Sequence, residues 1–289
     1  MTAARLIGVA LVAGGIVAAT VLAVPPPPRV SRAGGYVVLA ADLHVHSFVG
    51  DGALPPWEIV REARFRGLDV IAITNHNQLA GARIAAWSAR GDDRPLVVIG
   101  QEITAPRFHM TAAGLSRRID WRLSAEQAAA AVHAQGGVAI AAHPDKKSWG
   151  VMDDAALRAL DGFEIGDPFP RKEDPWDGGW AREFFEMVGR VNGNLAPIGG
   201  SDFHLVRSLG RARTYILAEE ATERAVIEAI RAARTVSRDG DGVLTGDPAL
   251  VQLVEASITE SPGSPRADRW RSLASVVVLS GLALLVLVK

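Results

Sequence analysis

The sequence contains no cysteine, almost no net charge and no glycine-rich phosphate loop, and each absence removes a class of function. Without thiols there are no disulfides, no cysteine-ligated metal clusters and no cysteine nucleophile. The formal net charge of -1 gives no broad electrostatic attraction for nucleic acid. Neither G-x-x-x-x-G-K-[ST] nor G-x-G-x-x-G follows the first strand-like run, which argues against the common nucleotide-binding loops.

A long apolar run lies near the N-terminus. It extends from Leu6 to Val24, follows Arg5 and is followed at once by the prolines 25–28. The run is close to the roughly 20 residues that a bilayer-spanning helix needs, and it is longer than the apolar core of about 7–15 residues in a cleaved signal peptide. We therefore expect a transmembrane anchor, with a signal segment as the alternative.

A second apolar run closes the chain, from Leu273 to Val288. Trp270 and Arg271 stand at its start, where an interfacial aromatic and a cation are typical of a membrane helix. Two spans would leave the middle of the chain on one side of the membrane, and the Arg5 that precedes the first run favours an extracytoplasmic side. Arginines flanking the middle favour the cytoplasm instead. The predicted division is an anchor with a Pro-rich linker at 1–28, a barrel at 35–260, a linker at 261–271 and a transmembrane helix at 272–289.

Between these ends, apolar runs typical of buried strands alternate with helical patterns. The runs are Tyr36–Ala40, Asp69–Ile73, Pro95–Ile99, Val138–Ala142, Gly162–Ile165 and Leu195–Ile198. Strands rich in Val, Ile and Ala that alternate with helices predict a parallel sheet covered on both faces. A middle of about 225 residues fits one closed or nearly closed α/β barrel, with an open doubly wound sheet as the alternative.

Six of the seven histidines lie at or just after the C-terminal ends of these runs. Acidic residues share these positions. The set is His44, His46, His76, Glu102, His109, His143, Asp202 and His204. The exception is His133, which lies within a helical pattern and is predicted to be a surface residue.

Such strand ends meet at one edge of a parallel α/β fold, where sites are built. Residues i and i+2 of a strand point to the same face, so His44 and His46 can bind one ion together. Buried imidazoles and carboxylates are costly unless they are paired or bound to metal. The mixed ligands suit Zn, Mn or Fe, and they are too many for one ion, so two or three divalent ions are expected, with Glu102 as a bridge.

The order of these residues resembles four motifs of the PHP (polymerase and histidinol phosphatase) superfamily, from Asp42 to about Asp239. The matching segments are Asp42-Leu43-His44-Val45-His46-Ser47, Ile73-Thr74-Asn75-His76-Asn77, Ala142-His143-Pro144 and Gly200-Ser201-Asp202-Phe203-His204. The second motif usually reads Asp-His, and here it reads Asn75-His76. An Asn at this position retains a hydrogen-bond acceptor but loses the negative charge, which could lower the affinity for metal.

The resemblance implies a distorted seven-stranded (β/α)7 TIM-like barrel with a trinuclear metal site that hydrolyses phosphoesters by a metal-bound hydroxide. It implies nine metal ligands: His44, His46, Asp51, His76, Glu102, His109, His143, Asp202 and His204. Cations beside these residues could contact the substrate phosphate, namely Arg107, Lys146, Lys147 and Arg207.

The expected function is therefore a membrane-anchored, metal-dependent phosphoesterase that acts on a small phosphomonoester or a nucleotide. A nuclease that acts on nucleic-acid ends is an alternative, and the near-neutral charge argues mildly against it. A non-catalytic, membrane-tethered interaction module is another, and the complete ligand set argues against it. An amidohydrolase would share the barrel but would usually use a carboxylated lysine where Glu102 stands. The oligomeric state is not indicated by the sequence.

Overall fold

The computed structural model describes residues 3–21, 31–91, 94–144, 152–166, 178–204, 209–258, 277–278 and 280–286. The chain divides into two compact units. One combines Met1–Pro27 with Glu260–Lys289, and the other is Pro28–Thr259. The predicted segment boundaries at 28, 35, 260 and 271 stay predictions.

The first unit contains helix α1 (Ala3–Val21) and a helical stretch at 280–286. The two backbones pass close to each other at a pair of glycines. A Cβ added to Gly8 would lie 3.0 Å from the carbonyl oxygen of Gly281, so a side chain at either position would crowd the other segment.

The prediction of two membrane-spanning helices is wrong. Among the residues that the structure describes, no helix is both long and apolar enough to cross a membrane. In α1 the uncharged stretch begins only after Arg5 and the helix ends at Val21, which is short of the roughly 20 apolar residues that a span requires. The C-terminal run is described as helical only at 277–278 and 280–286, and the predicted linker at 261–271 lies outside the described residues. The expected membrane anchoring, and the extracytoplasmic placement that depended on it, lose their support.

The second unit is a mixed α/β structure. Its strands are β1 (Ser31–Ala33), β2 (Tyr36–Val45), β3 (Val70–Ile73), β4 (Leu96–Thr104), β5 (His109–Ala113), β6 (Val138–Ala141), β7 (Gly162–Gly166), β8 (Ala196–Gly199), β9 (Arg213–Ala218), β10 (Thr235–Arg238) and β11 (Leu244–Gly246). Its helices are α2 (Pro56–Phe65), α3 (Ala80–Ser88), α4 (Ala125–His133), α5 (Asp154–Arg158), α6 (Gly178–Val191), α7 (Glu223–Arg231) and α8 (Pro248–Ser257).

Helix boundaries follow local signals in the sequence. A proline at the first position begins α2, where a missing N–H costs nothing. Ser124 caps α4 through a capping box with Gln127, because each side chain accepts a hydrogen bond from the other residue's backbone N–H. Thr222 caps α7 in the same way through its hydroxyl.

The described strands form one sheet in the order β11-β10-β9-β2-β3-β4-β5-β6-β7-β8, with β1 paired to the outside of β2. The β8 end of this order curves back to β2. Val45, at the end of β2, forms a parallel bridge with Phe203 beyond β8, and the backbone N–H of His46 donates to the Phe203 carbonyl at 3.1 Å. The sheet is therefore nearly closed and barrel-like, as the sequence predicted.

The sheet is not parallel throughout, in contrast to the expectation. Strands β2–β3–β4 and β6–β7–β8 pair in parallel, whereas β5 is antiparallel to both β4 and β6, and β9 is antiparallel to β2. The reason is the connection: β4 turns directly into β5 at residues 105–108 without a helix, and a short connection can only join antiparallel strands.

Three apolar clusters pack against the described strands, and two of them cover the two faces of β2 and β3. Leu39, Val70 and Ile198 contribute to an inner cluster that includes Ile230 of α7. Val38 and Ile71 belong to an outer cluster with α2 and α3. Burying one such side chain stabilises the fold by about 1.5–3 kcal/mol, so both faces are strongly specified.

The buried carboxylate of Asp42 joins distant backbone segments at the edge of the sheet where the predicted ligands lie. Asp42 is fully buried in β2 and accepts hydrogen bonds from the backbone N–H groups of His44, Ser201 and Gly210, at 3.3, 3.0 and 2.7 Å. Burial raises the pKa of Asp42, and these hydrogen bonds oppose that rise. One side chain thus fixes the segment after β8 and the start of β9 against β2.

The first prediction follows from this tie. Replacing Asp42 by Ala is expected to lower the free energy of unfolding by about 3 kcal/mol or more, because three buried N–H groups lose their acceptor. Chemical denaturation of the variant measures this loss. Asp241→Ala is the control, because that residue is exposed in the turn between β10 and β11 and should change stability by no more than about 0.5 kcal/mol. An equal loss in both variants would contradict the role given to Asp42.

Candidate metal centre

The strand ends bring all nine predicted ligands into one cluster. Each member has a nitrogen or oxygen atom within 3.5 Å of another member. Most of them follow strands that are parallel neighbours, and His109 opens the antiparallel strand β5 opposite Thr104 of β4. Parallel strands deliver their C-terminal ends to the same edge, which is why residues so distant in sequence meet here.

Glu102 is the centre of the cluster. Its carboxylate is fully buried and lies within ion-pair distance of five imidazoles. The distances to the nearest carboxylate oxygen are 3.5 Å for His44, 3.3 Å for His46, 2.7 Å for His76, 2.6 Å for His109 and 3.1 Å for His143. A carboxylate surrounded in this way is suited to hold a divalent cation together with the neighbouring imidazoles.

The two imidazoles of the His-x-His pair lie close together in the cluster. The Nε2 atoms of His44 and His46 lie 3.1 Å apart, and each is 3.4 Å from Oδ1 of Asp202. The register of β2 against β3 shifts between residues 42 and 45, and Val45 then packs in the outer cluster. Such an irregularity re-aims side chains, and it leaves both imidazoles facing the cluster.

A second part of the cluster forms around Asp51, which the loop after β2 carries. Its carboxylate lies 3.2 Å from Nδ1 of His46 and 3.1 Å from Nε2 of both His76 and His204. Asp51 is about half exposed, at 47%, whereas Glu102 is fully buried. The cluster therefore has a closed floor and a side open to solvent.

Three overlapping groups of described residues have ligand atoms close enough to share an ion. They are His46, Asp51, His76 and His204; His44, His46 and Asp202; and His44, Glu102 and His143. The first two groups share His46, and the last two share His44. These groups suggest divalent metal binding, whereas the number and identity of the ions stay predictions.

Orphaned buried atoms test whether the residues suit a cation. Within the described part of the chain, His46 Nδ1, Glu102 Oε2 and His109 Nδ1 are buried and make no hydrogen bond. Each of these atoms nevertheless lies near an atom of opposite charge, and His109 Nδ1, for example, is 2.6 Å from Glu102. The distances are short enough for hydrogen bonds, but the directions are not suitable for them. Buried polar atoms left without hydrogen bonds are costly, and a shared cation would satisfy them. The donor set fits metal ions.

Electrostatics in the cluster favour anionic carboxylates and positive charge nearby. Burial alone would raise the pKa of the Glu102 carboxyl, but the surrounding imidazoles, His44 first, hold that pKa far below its ordinary range. The pKa of Asp202 is lowered in the same way against the effect of burial. Burial would lower the pKa of His44, yet the charge on Glu164 and the other carboxylates raises it well above the ordinary value.

Two of the cluster residues and one neighbour have left-handed backbone conformations. The φ angles are 25° at His143, 44° at Asp202 and 52° at Asn77. Residues other than glycine rarely adopt this backbone conformation, which costs on the order of 1–3 kcal/mol for each residue. Asn77 offsets part of this cost, because its amide exchanges two hydrogen bonds with the backbone of Thr104, both at 3.0 Å.

Glu164 is a site residue that the sequence reasoning missed. It lies in the middle of β7 and is 7% exposed. Its Oε1 is 2.8 Å from Nδ1 of His44, and its Oε2 accepts the backbone N–H of His143 at 2.7 Å. A carboxylate on Nδ1 keeps that nitrogen protonated and leaves Nε2 free for a metal. A charged residue inside an apolar strand was the signal that could have identified it.

The predicted phosphate contacts are only partly placed. Arg107 is exposed in the turn between β4 and β5, two residues before His109. Lys146, Lys147 and Arg207 lie outside the described residues. His133 ends α4, away from the cluster, and its Nε2 lies 2.7 Å from Asp161.

A second prediction concerns Glu164. Glu164→Gln is expected to weaken metal binding by about 10- to 100-fold, because the amide holds the protonated Nδ1 of His44 less strongly than a carboxylate does. Titration of the metal-free protein with Mn²⁺ measures the affinity. Glu228→Gln, on the exposed face of α7, is the control and should leave the affinity unchanged. Identical affinities in all three proteins would remove Glu164 from the centre.

A third prediction concerns pH. The pKa values of His44, His46 and His143 are raised above 6.5, and each imidazole must lose its proton at the nitrogen that binds an ion. Metal affinity should therefore increase as pH rises above about 6.5. Without metal, the free energy of unfolding should instead decrease as pH rises. A histidine whose pKa is raised by folding contributes stability below about pH 6.5, and this contribution is lost as pH rises through its pKa in the folded protein. Thermal unfolding with chelator and with Mn²⁺ across this range tests both signs. If the melting temperature depended on pH in the same way with chelator and with Mn²⁺, these expectations would be contradicted.

Known proteins resemble the chain in sequence. An uncharacterized protein of Methanocaldococcus jannaschii is 30% identical over 145 residues, which cover 46% of this chain and 84% of that protein. A 5'-3' exoribonuclease of Haemophilus influenzae is 27% identical over 199 residues, which cover 66% of this chain and 65% of the exoribonuclease. The chain thus spans slightly less than two thirds of the exoribonuclease.

The fold and one segment have further counterparts. A two-domain protein of Bacteroides vulgatus, described as containing a predicted PHP-like metal-dependent phosphoesterase, superposes with a TM-score of 0.65 at 22% identity and covers 81% of this chain and 74% of its own. This likeness shows the fold. A family model described as PHP-associated matches residues 192–235, which include Asp202 and His204. By its sequence, the chain belongs to the same family as the uncharacterized protein of Methanocaldococcus jannaschii.

Proposed function

We propose that the chain is a PHP-type, metal-dependent phosphoesterase that hydrolyses a phosphomonoester or a nucleotide at a centre of two or three divalent ions. The observation that carries this proposal is the overlap of three ligand groups through His44 and His46. Overlapping groups bring ions close together, and closely spaced ions are typical of enzymes that displace groups at phosphorus. The complete set of nine candidate ligands supports an enzyme over a non-catalytic interaction module.

Bound ions would supply an activated water and would neutralise the charge of a phosphoryl group. The protein's own residues arrange the rest. Glu102 and His44 form the fully buried floor, where a low dielectric strengthens every charge interaction. Asp51 and His143 are 47% and 41% exposed and border the side from which a phosphate can enter. Arg107, exposed beside His109, is a candidate cation for the incoming phosphate.

A nuclease that acts on nucleic-acid ends is the second candidate. The similarity to the Haemophilus influenzae exoribonuclease favours it, whereas the near-neutral net charge of -1 does not. The same ligands would serve either reaction, so the centre alone does not separate them. We favour the smaller substrate because a nucleic-acid enzyme usually gains affinity from a basic surface, and the overall charge offers none.

Removing first one ligand and then another tests the reaction. His44→Ala and Asp202→Ala are each expected to lower phosphoester turnover by about 100-fold or more and to lower the amount of bound metal, because each residue belongs to a ligand group. Turnover of an aryl phosphomonoester, a nucleoside monophosphate and a 5'-phosphorylated oligoribonucleotide, each with Mn²⁺ or Zn²⁺, gives the measurement. The control is His133→Ala, a histidine paired with Asp161 outside the cluster, which should retain full activity.

The outcomes separate the candidates. Release of phosphate from the small esters, with the oligonucleotide intact, supports the favoured substrate class. Shortening of the oligonucleotide from its 5' end supports the nuclease instead. Turnover that persists in His44→Ala would refute the role of the centre, and fewer than about two ions per wild-type chain would refute its polynuclear character.

A further inference from the structure

The loop that carries Asp51 is held from below by one buried side chain, Asn75. The loop begins at Ser47, directly after the His-x-His pair, and turns tightly on the Ser47 carbonyl. That carbonyl accepts the backbone N–H groups of Gly50 at 2.8 Å and Gly52 at 3.1 Å. It also accepts the side-chain amide of Asn75, whose Nδ2 lies at 2.9 Å. Three donors on one carbonyl fix the start of the loop.

The other half of the Asn75 amide completes a reciprocal pair. The hydroxyl of Ser47 donates to Oδ1 of Asn75 at 2.8 Å. Both polar ends of the amide are therefore satisfied by a single residue of the loop. Asn75 is 1% exposed and Ser47 is fully buried, so water does not substitute for either bond.

Two glycines pack against this pair. A Cβ on Gly50 would collide with Nδ2 of Asn75, and a Cβ on Gly81 would come within 2.5 Å of both the Asn75 Oδ1 and the Ser47 hydroxyl. The amide is thus enclosed by the loop on one side and by the first turn of α3 on the other. The enclosure leaves it no room to rotate away from Ser47.

The direction of these hydrogen bonds requires an amide. The Ser47 carbonyl can only accept, so the group facing it must donate, and an ionised carboxylate has no donor. An Asp at position 75 would place a negative oxygen against a carbonyl oxygen in a buried site, which is costly. Asn75 therefore supplies a hydrogen-bond donor that the loop uses, in contrast to the expectation that the missing negative charge lowers the affinity for metal.

We infer that Asn75 is a positioning residue that sets the place of Asp51 and thereby the binding of the ion shared by His46, Asp51, His76 and His204. The inference rests on the metal centre of the proposed function. Asp51 is the residue of that group carried by a surface loop, and it is nearly half exposed. Its position depends on the bonds at the base of the loop, and Asn75 makes two of them.

The test replaces the Asn75 amide by a carboxylate of nearly the same shape, which removes the hydrogen-bond donor. Asn75→Asp is expected to bind at least one ion fewer per chain than the wild type, or to bind its weakest ion about 10- to 100-fold less tightly. Bound Mn²⁺ per chain and the Mn²⁺ titration curve give the readout, which requires no turnover. The matched control is Asn192→Asp, because the Asn192 amide also donates to two backbone carbonyls, those of Leu157 and Leu160, at 3.1 and 2.7 Å. The control should retain the wild-type ion count even if its melting temperature falls.

Ser47→Ala covers the case in which Asn75→Asp does not fold. It removes one of the two bonds, and we expect a smaller but measurable weakening of the same ion. Wild-type Mn²⁺ binding in a folded Asn75→Asp, or in Ser47→Ala, would overturn the inference. A wild-type chain that binds no Mn²⁺ would instead refute the proposed metal centre, so the two failures are distinguishable.

Discussion

The fully buried carboxylate of Glu102 is the constraint on which the site depends, because five imidazoles approach it and water does not. A lone carboxylate in that position would take up a proton, and its low pKa reflects the positive charge that the histidines can carry around it. The barrel must hold those imidazoles at 2.6–3.5 Å from one residue. Every strand end that supplies a histidine is therefore fixed relative to β4, which links the closure of the sheet to the chemistry at its edge.

The sequence indicated which side chains converge at one edge of the sheet, but it did not indicate the directions of all the strands around them. All nine candidate ligands meet in one cluster because strand ends converge in a parallel arrangement, whatever the details of the remaining strands. The antiparallel insertion of β5 escaped notice, since a short buried strand has the same apolar pattern in either direction. The two apolar ends were misjudged because a run of apolar residues suggests a membrane span, whereas no helix among the described residues is long and apolar enough to form one.

Residues that support the ligands were the hardest to predict. Glu164 and Asn75 have no distinguishing spacing, and their roles depend on partners that are far away in sequence: His44 for one and Ser47 for the other. Asp42 is similar, because its three backbone donors come from two distant segments and one near neighbour. Hydrogen-bond partners of this kind are determined by the tertiary fold and have no periodic signature in the sequence. The Asn at position 75 was visible as a departure from the motif that the sequence resembles, but its contacts could be read only from the geometry of the loop.

In the hairpin of β4 and β5, the paired strands and the turn that joins them carry different residues of the site region. Glu102 and His109 lie on paired strands whose register is set by the ladder, with Thr104 opposite His109, and the turn at 105–108 projects beyond the ladder and carries Arg107. A change in the turn's length or composition leaves the ladder register in place. Substitutions in this turn can therefore change the side chains beside the cluster, while the positions of Glu102 and His109 stay fixed by the strand pairing.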